Sequence, residues 1–251
     1  MSLIAHAATH PGKVRPQNED AILSIPDRGL FVVADGMGGV NAGEVASRMA
    51  VETIERFIAD SRHDATTPFG SDDRLSAVGN RLRTAIKLAN RAVFRASDAQ
   101  PEFSGMGTTV AALLVDGHTA AICGVGDSRV YVAENGGLRQ LTHDQTWIEA
   151  LRTQNPSLDP AMLAKHPMRH VLTNVVGGHG DVHVVVTERT LAPGERFLLC
   201  SDGVYRGVPD DQLLELMRTS DVEAAANAIV STALELDGGD NLSAIVISVT
   251  A

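Results

Sequence analysis

Acidic residues recur where the apolar runs of this sequence break off. Asp35 ends FVVAD ahead of GMGG, Asp202 ends FLLCSD ahead of a glycine, Asp240 stands in GGDN just before LSAIVI, and Glu19-Asp20 lie in RPQNEDAI. Asp127, in ICGVGDSRVY, is set among glycines and small residues. An isolated Asp-Gly is ordinary turn chemistry, and Asp116-Gly117 and Asp237-Gly238 are read that way. Asp35 and Asp202 differ because each follows three or four buried-type residues, not a polar turn cluster. Aspartates at the ends of neighbouring strands share one space and repel unless protonated or neutralised by a cation. Mg2+ and Mn2+ suit shells of carboxylate and water oxygens. Neither Cys nor His flanks these aspartates, which argues against zinc. The glycines beside Asp35 would let a backbone carbonyl approach an ion closely. Spacing and composition predict a metal site and leave its chemistry open.

Such a site needs strands that end together. GLFVVADG, TTVAALLVDG, HTAAICGVG, SRVYVAENGG, VHVVVTE, ERFLLCSDG and NLSAIVISVT are short β-branched or apolar runs, most of them closed by Asp-Gly or Asn-Gly-Gly. Asp116-Gly117 and Asn135-Gly136 read as hairpin turns. Helical periodicity covers 42–60 (Val45, Met49, Ile54, Phe57, Ile58) and 75–97 (Leu75, Val78, Leu82, Ile86, Ala89, Val93), with shorter helices expected at 210–218, opened by Pro209-Asp210, and at 221–236. Strands joined by tight turns imply antiparallel sheets with helices on their outer faces, an α+β sandwich. Residues 144–180 begin with a helical piece, QTWIEALR, and continue through Asn155-Pro156 and Asp159-Pro160 as an irregular, flap-like insertion. The polar stretch 61–73 reads as a loop within the domain.

The chain has 251 residues, 44% hydrophobic, enough for one well-buried core, and 21 basic against 31 acidic residues give a net charge of −10. That balance lacks the basic stripe of a nucleic-acid binder. Cys123 and Cys200 sit in apolar runs and read as buried thiols, with no CxxC pair. No signal peptide is read in MSLIAHAATHP, and no apolar run approaches the ~18 residues of a membrane span. A single domain over 1–251 in a soluble, cytoplasmic setting, without a membrane partner, is expected.

In order along the chain stand Arg-x-x-Asn-Glu-Asp (15–20), DGMGG (35–39), GTT (107–109), GDSR (126–129), LTHDQT (141–146), SDG (201–203) and DN (240–241). This series resembles the bacterial branch of the metal-dependent Ser/Thr protein phosphatases, the type 2C or PPM family, from about residue 5 to residue 249. The resemblance implies a four-layer αββα sandwich of two packed antiparallel sheets flanked by helix pairs. It implies two core Mn2+ or Mg2+ ions. Asp35 would bridge them, the Gly36 carbonyl and Glu19 would complete one shell, and Asp202 and Asp240 would hold the other ion. Asp127 with Asp202 would bind a weaker third ion. Arg15 matches the residue that grips the substrate phosphate, and Asp20 and Asn241 look like supporting groups around the metal waters. The implied reaction is hydrolysis of phosphoserine and phosphothreonine in proteins by a water activated between the ions. A Ser/Thr protein kinase would be the opposing partner.

Two positions depart from the pattern. Met37 stands where animal relatives carry a histidine thought to assist the leaving group, and Val40 where many bacterial relatives place one. No matched imidazole acid remains, so the leaving-group proton would come from a water of the site or an unmatched group. His166 and His170 are spaced four apart, but Pro167 disfavours a helical metal pair, and His179 and His183 flank a turn. Both pairs, like Trp147, read as loop or packing residues, with a substrate contact by the insertion as the lesser alternative for Trp147. GMGG lacks the Gly-Lys-Ser/Thr of a P-loop, and no GxSxG elbow occurs. The rival functions are a catalytically inactive phosphatase-like module and a phosphatase of small phosphate esters.

Overall fold

A computed structural model describes residues 1–39, 41–61, 67–159, 162–163 and 166–251; Val40 and the 62–66 part of the expected loop lie outside them. One sheet orders β1 (Ser2–His10), β11 (Leu242–Thr250), β10 (Arg196–Cys200), β7 (Arg129–Glu134) and β8 (Gly137–Gln140). The other orders β2 (Asp20–Ile25), β3 (Leu30–Met37), β5 (Val110–Asp116), β6 (Thr119–Val125) and β9 (Val185–Thr190), with short β4 (Gly107–Thr108) on the end of β3. The paired strands run antiparallel.

The strand sequences read as continuous apolar runs because both faces of each sheet are covered. In β3, Phe31 and Val33 point between the sheets, while Leu30, Val32 and Ala34 point to the outer helices. In β10, Phe197 and Leu199 face inward and Leu198 and Cys200 outward. Side chains of this size each contribute roughly 1.5–3 kcal/mol when fully buried. On the second sheet lie α1 (Ala42–Asp60) and α2 (Ala77–Ala99), the latter capped by the Ser76 hydroxyl, which accepts from Val78 and Gly79 N–H. On the first lie α5 (Asp210–Met217) and α6 (Val222–Leu236). The result is the four-layer αββα sandwich.

Both hairpin turns form as expected: Gly117 has φ 60°, and Asn135 and Gly136 have φ 50° and 81°. The expected strand at VHVVVTE starts only at Val185. The His183 backbone is bonded instead to the Asn174 side chain, its carbonyl accepting from Nδ2 at 2.8 Å. Strands β1 and β2 had no strong signal in the sequence. Alanine, threonine and histidine dilute β1, yet Leu3, Ala5 and Ala7 alternate into the inter-sheet core. In the insertion, α3 (Trp147–Gln154) is capped by Thr146, and the Trp147 ring stacks on His166 at 4.7 Å. Bridges Thr146–Leu172 and Thr108–Val176 pin the insertion beside the strand ends.

Candidate metal centre

The strand ends that carry the acids meet at one end of the sandwich. Asp20 opens β2 and is the register partner of Asp35 near the end of β3. Asp127 lies between β6 and β7, where the chain crosses from one sheet to the other. Asp202 follows β10 as the first residue of a short helix, α4 (Asp202–Gly207), and Asp240 precedes β11. Asp35, Asp127, Asp202 and Asp240, with Arg15, Glu19 and Gly36, line a cleft of about 580 Å³, and Asp20 lies behind it as the register partner of Asp35.

The remaining motif residues hold these acids in place. Thr109 Oγ1 accepts the Asp35 N–H at 2.9 Å and bonds the Ser128 hydroxyl at 2.6 Å, and Thr108 Oγ1 donates to the Asp35 carbonyl. Ser201 Oγ donates to Asp20 Oδ2 at 2.8 Å. Asn241 uses its whole amide on the 11–19 segment: Nδ2 donates to the carbonyls of Pro11 and Gln17, and Oδ1 accepts the Glu19 N–H, at 2.8–2.9 Å. Gly36 accommodates a close approach, since a Cβ there would lie 2.1 Å from the Gly43 carbonyl oxygen of α1. Arg129 forks onto Asp144 at 2.6–3.2 Å and covers the Tyr205 ring, which ties GDSR to LTHDQT and α4.

The electrostatics are those of an acid cluster. Burial, then the charges of Asp20, Asp202, Asp240 and Asp127, hold the Asp35 carboxyl well above the usual range. Burial pushes Asp20 up to about 7, and burial with the Asp202 charge pushes Asp127 up to about 6. Burial also raises Asp202 and Glu19. Asp20 Oδ1 and Asp202 Oδ1 are buried without a hydrogen-bond partner. Arg15 chelates Asp240 through Nε and Nη2, both at 2.9 Å, and Arg206 binds Asp202 and Asp127.

As the side chains stand, no three His, Cys, Asp or Glu among the described residues already converge on a single ion position, because the arginines draw off several carboxylates. The donors nonetheless fit hard divalent cations: all are oxygens, and Asp20 and Asp202 each keep a buried carboxylate oxygen without a hydrogen-bond partner.

The profile of the protein phosphatase 2C family matches residues 15–235. The chain belongs to the protein phosphatase 2C family. It is 33% identical over 243 residues to the serine/threonine protein phosphatase PstP of Mycobacterium tuberculosis, covering 97% of this chain but 44% of that protein. It thus spans less than half the length of that relative. With the Listeria monocytogenes serine/threonine phosphatase stp it shares 31% identity over 248 residues, 97% of this chain and 94% of the relative. The crystal structure of the PstP catalytic domain in complex with two manganese ions superposes with a TM-score of 0.84 at 30% identity, covering 100% of this chain and 99% of that one. This family's fold is therefore the one observed, and the acid cleft lies where its sheets end together.

Every acid and arginine picked from the sequence for this site reaches the cleft or its immediate support, whereas Asp116 ends β5 at its hairpin and Asp237 caps the end of α6. Sequence reasoning missed Arg206, Thr109 and His170, which also line the cleft. Arg206 was legible only as the residue four beyond Asp202 on a helix too short to show periodicity. His170, set aside as a loop residue, is an exposed imidazole that the insertion brings to the cleft wall.

Proposed function

We propose that this chain is an active, metal-dependent protein serine/threonine phosphatase and that residues 1–251 form its phosphatase domain. One observation carries this reading: buried carboxylates from both sheets converge in one open cleft, with protonation favoured and orphaned oxygens left among them. In a merely structural core, removing such groups would relieve repulsion at no loss.

In this reading Asp35, Glu19 and the Gly36 carbonyl, with Asp202 and Asp240, would hold the two ions. The relative with two manganese ions supports Mn2+ or Mg2+ as the cations. When bound, the ions would neutralise the carboxylates, polarise the phosphate ester and lower the pKa of a nucleophilic water. The protein's own groups do the rest. Arg15, half-exposed at the rim, presents a planar fork whose unused N–H groups face solvent and suit phosphate oxygens. Asp20 is held by Ser201 at the edge of the cluster, where it would support the ligand acids from behind. Asn241 positions Glu19 by clamping its backbone.

Phosphorylated proteins are the proposed substrates and a Ser/Thr kinase the opposing partner, in line with the names of the relatives. No helix among the described residues is long and apolar enough to cross a membrane. A cytoplasmic setting is proposed, supported by two buried, unpaired cysteines. The substrate class is tested by comparing kcat/KM for a phosphothreonine peptide and for a small aryl phosphate with Mn2+. The protein reading expects the peptide to be preferred. Preference for the small ester would point to the alternative chemistry, and no turnover of either to an inactive module.

A further inference from the structure

Arg206 has no task in the chemistry proposed above, yet it is held more tightly than Arg15. Its side chain is 29% exposed, against 50% for Arg15. The guanidinium spans two carboxylates, Nη1 to Asp202 Oδ2 at 2.5 Å and Nη2 to Asp127 Oδ2 at 3.0 Å. These acids reach it from different parts of the fold. Asp127 comes from the crossover between β6 and β7, and Asp202 from the end of β10. Their side chains are 5% and 10% exposed, so solvent screens the pairing little.

The local structure fixes this bridge. Asp202 and Arg206 are one turn apart on α4, acid before base, the favourable order for such a helical pair. A planar fork can satisfy two separate carboxylates at once, which a lysine ammonium does less well. The pair Asp127–Asp202 is also where the family resemblance places a weaker third ion. A divalent cation entering there would have to displace the guanidinium and then tolerate its charge nearby. Of the donors assigned to the two core ions, Asp202 alone is paired with Arg206, through Oδ2, and Asp240 is paired with Arg15 instead.

We infer that Arg206 is a built-in cation that takes the place of the third metal ion, closing the Asp127–Asp202 pair and leaving the centre with two exchangeable ions. The inference rests on the metal-centre reading above, and the test separates the two. Manganese bound per chain is measured by equilibrium dialysis against millimolar Mn2+, with metal counted by atomic emission, for the wild type, Arg206→Gln, Arg206→Lys, Asp127→Asn and the double variant Arg206→Gln/Asp127→Asn. The wild type is expected to bind two ions, and Asp127→Asn also two. Arg206→Gln should gain a third ion at least about tenfold tighter than any further binding to the wild type, and the double variant should lose it. Arg206→Lys, which keeps the charge, should stay nearer the wild type than Arg206→Gln. A wild type that binds three ions and drops to two in Asp127→Asn overturns the inference, even if the Arg206 variants fail to fold. So does a folded Arg206→Gln that stays at two. A wild type that binds no manganese overturns the metal-centre reading itself.

Discussion

Asp20 and Asp35 are register partners across the antiparallel β2–β3 pair, so two carboxylates leave the same face of one sheet at its end. Directly opposed like charges destabilise a sheet, and here burial adds to the conflict. Both acids, with Asp127, have folded-state pKa values above those of an unfolded chain. The folded protein therefore holds more protons than the unfolded one from the ordinary carboxylate range up to about 7, and its stability must fall as pH rises through that window. In EDTA the thermal midpoint should be higher at pH 5.5 than at pH 7.5, and saturating Mn2+ should reduce or reverse that difference. Thermal melts at the two values check it; a metal-free protein more stable at the higher pH would contradict it.

Replacing Asp35 separates function from stability. Asp35→Asn should lower phosphatase activity by at least about a thousandfold, ~4 kcal/mol of transition-state stabilisation. It should also raise the melting temperature of the metal-free protein by roughly 2–4 °C for each kcal/mol of repulsion relieved. Asp116→Ala, in a hairpin turn with an exposed carboxylate paired to Arg81 at 3.6 Å, should leave activity nearly unchanged. Equal losses in steady-state assays would mean that the two aspartates do the same work.

In the proposed centre Asn241 would act at one remove from the ions, through the backbone of Glu19. Asn241→Ala removes the bonds to Pro11, Gln17 and Glu19 that hold the 11–19 segment against the start of β11. Apparent Mn2+ affinity should weaken about 10–100-fold, as is usual when a group supporting a metal ligand is lost. Activity at saturating Mn2+ should recover substantially. A titration of activity against Mn2+ distinguishes this from a loss that metal does not rescue.

The cysteines should be inert in the folded protein. Burial pushes the Cys123 thiol up to about 12, and Cys200 is also raised by burial. Iodoacetamide at pH 8 should label neither until denaturant is added. Rapid native labelling, read by intact mass, would show that these strands open.

Much of this was legible from residue order because the central strands are buried on both faces. LFVVAD and RFLLCSD announce a strand by an apolar run and a site by the acid that ends it, and DNLSAIV does so with the acid ahead of the run. The edges were less legible. β1 draws its inward side chains from alanines and a leucine, and β2 starts on the site residue Asp20, so neither stands out by composition. The partners of the site were hidden for a different reason. Arg206 and His170 reach the cleft through tertiary placement of a six-residue helix and of the insertion, and spacing along the chain does not encode that. Asn241, in contrast, was legible from the family pattern, and it lines the cleft. The use of its amide, on the backbone of Pro11, Gln17 and Glu19, is what tertiary structure adds.

The central claim is that the carboxylates of both sheets work through divalent ions. It is tested most directly by hydrolysis of a phosphothreonine peptide by the purified chain, with Mn2+, after EDTA, and after Mn2+ is restored. Turnover with Mn2+, its loss in EDTA and its return with the metal are expected. Turnover that survives EDTA, or none with Mn2+ present, would contradict it.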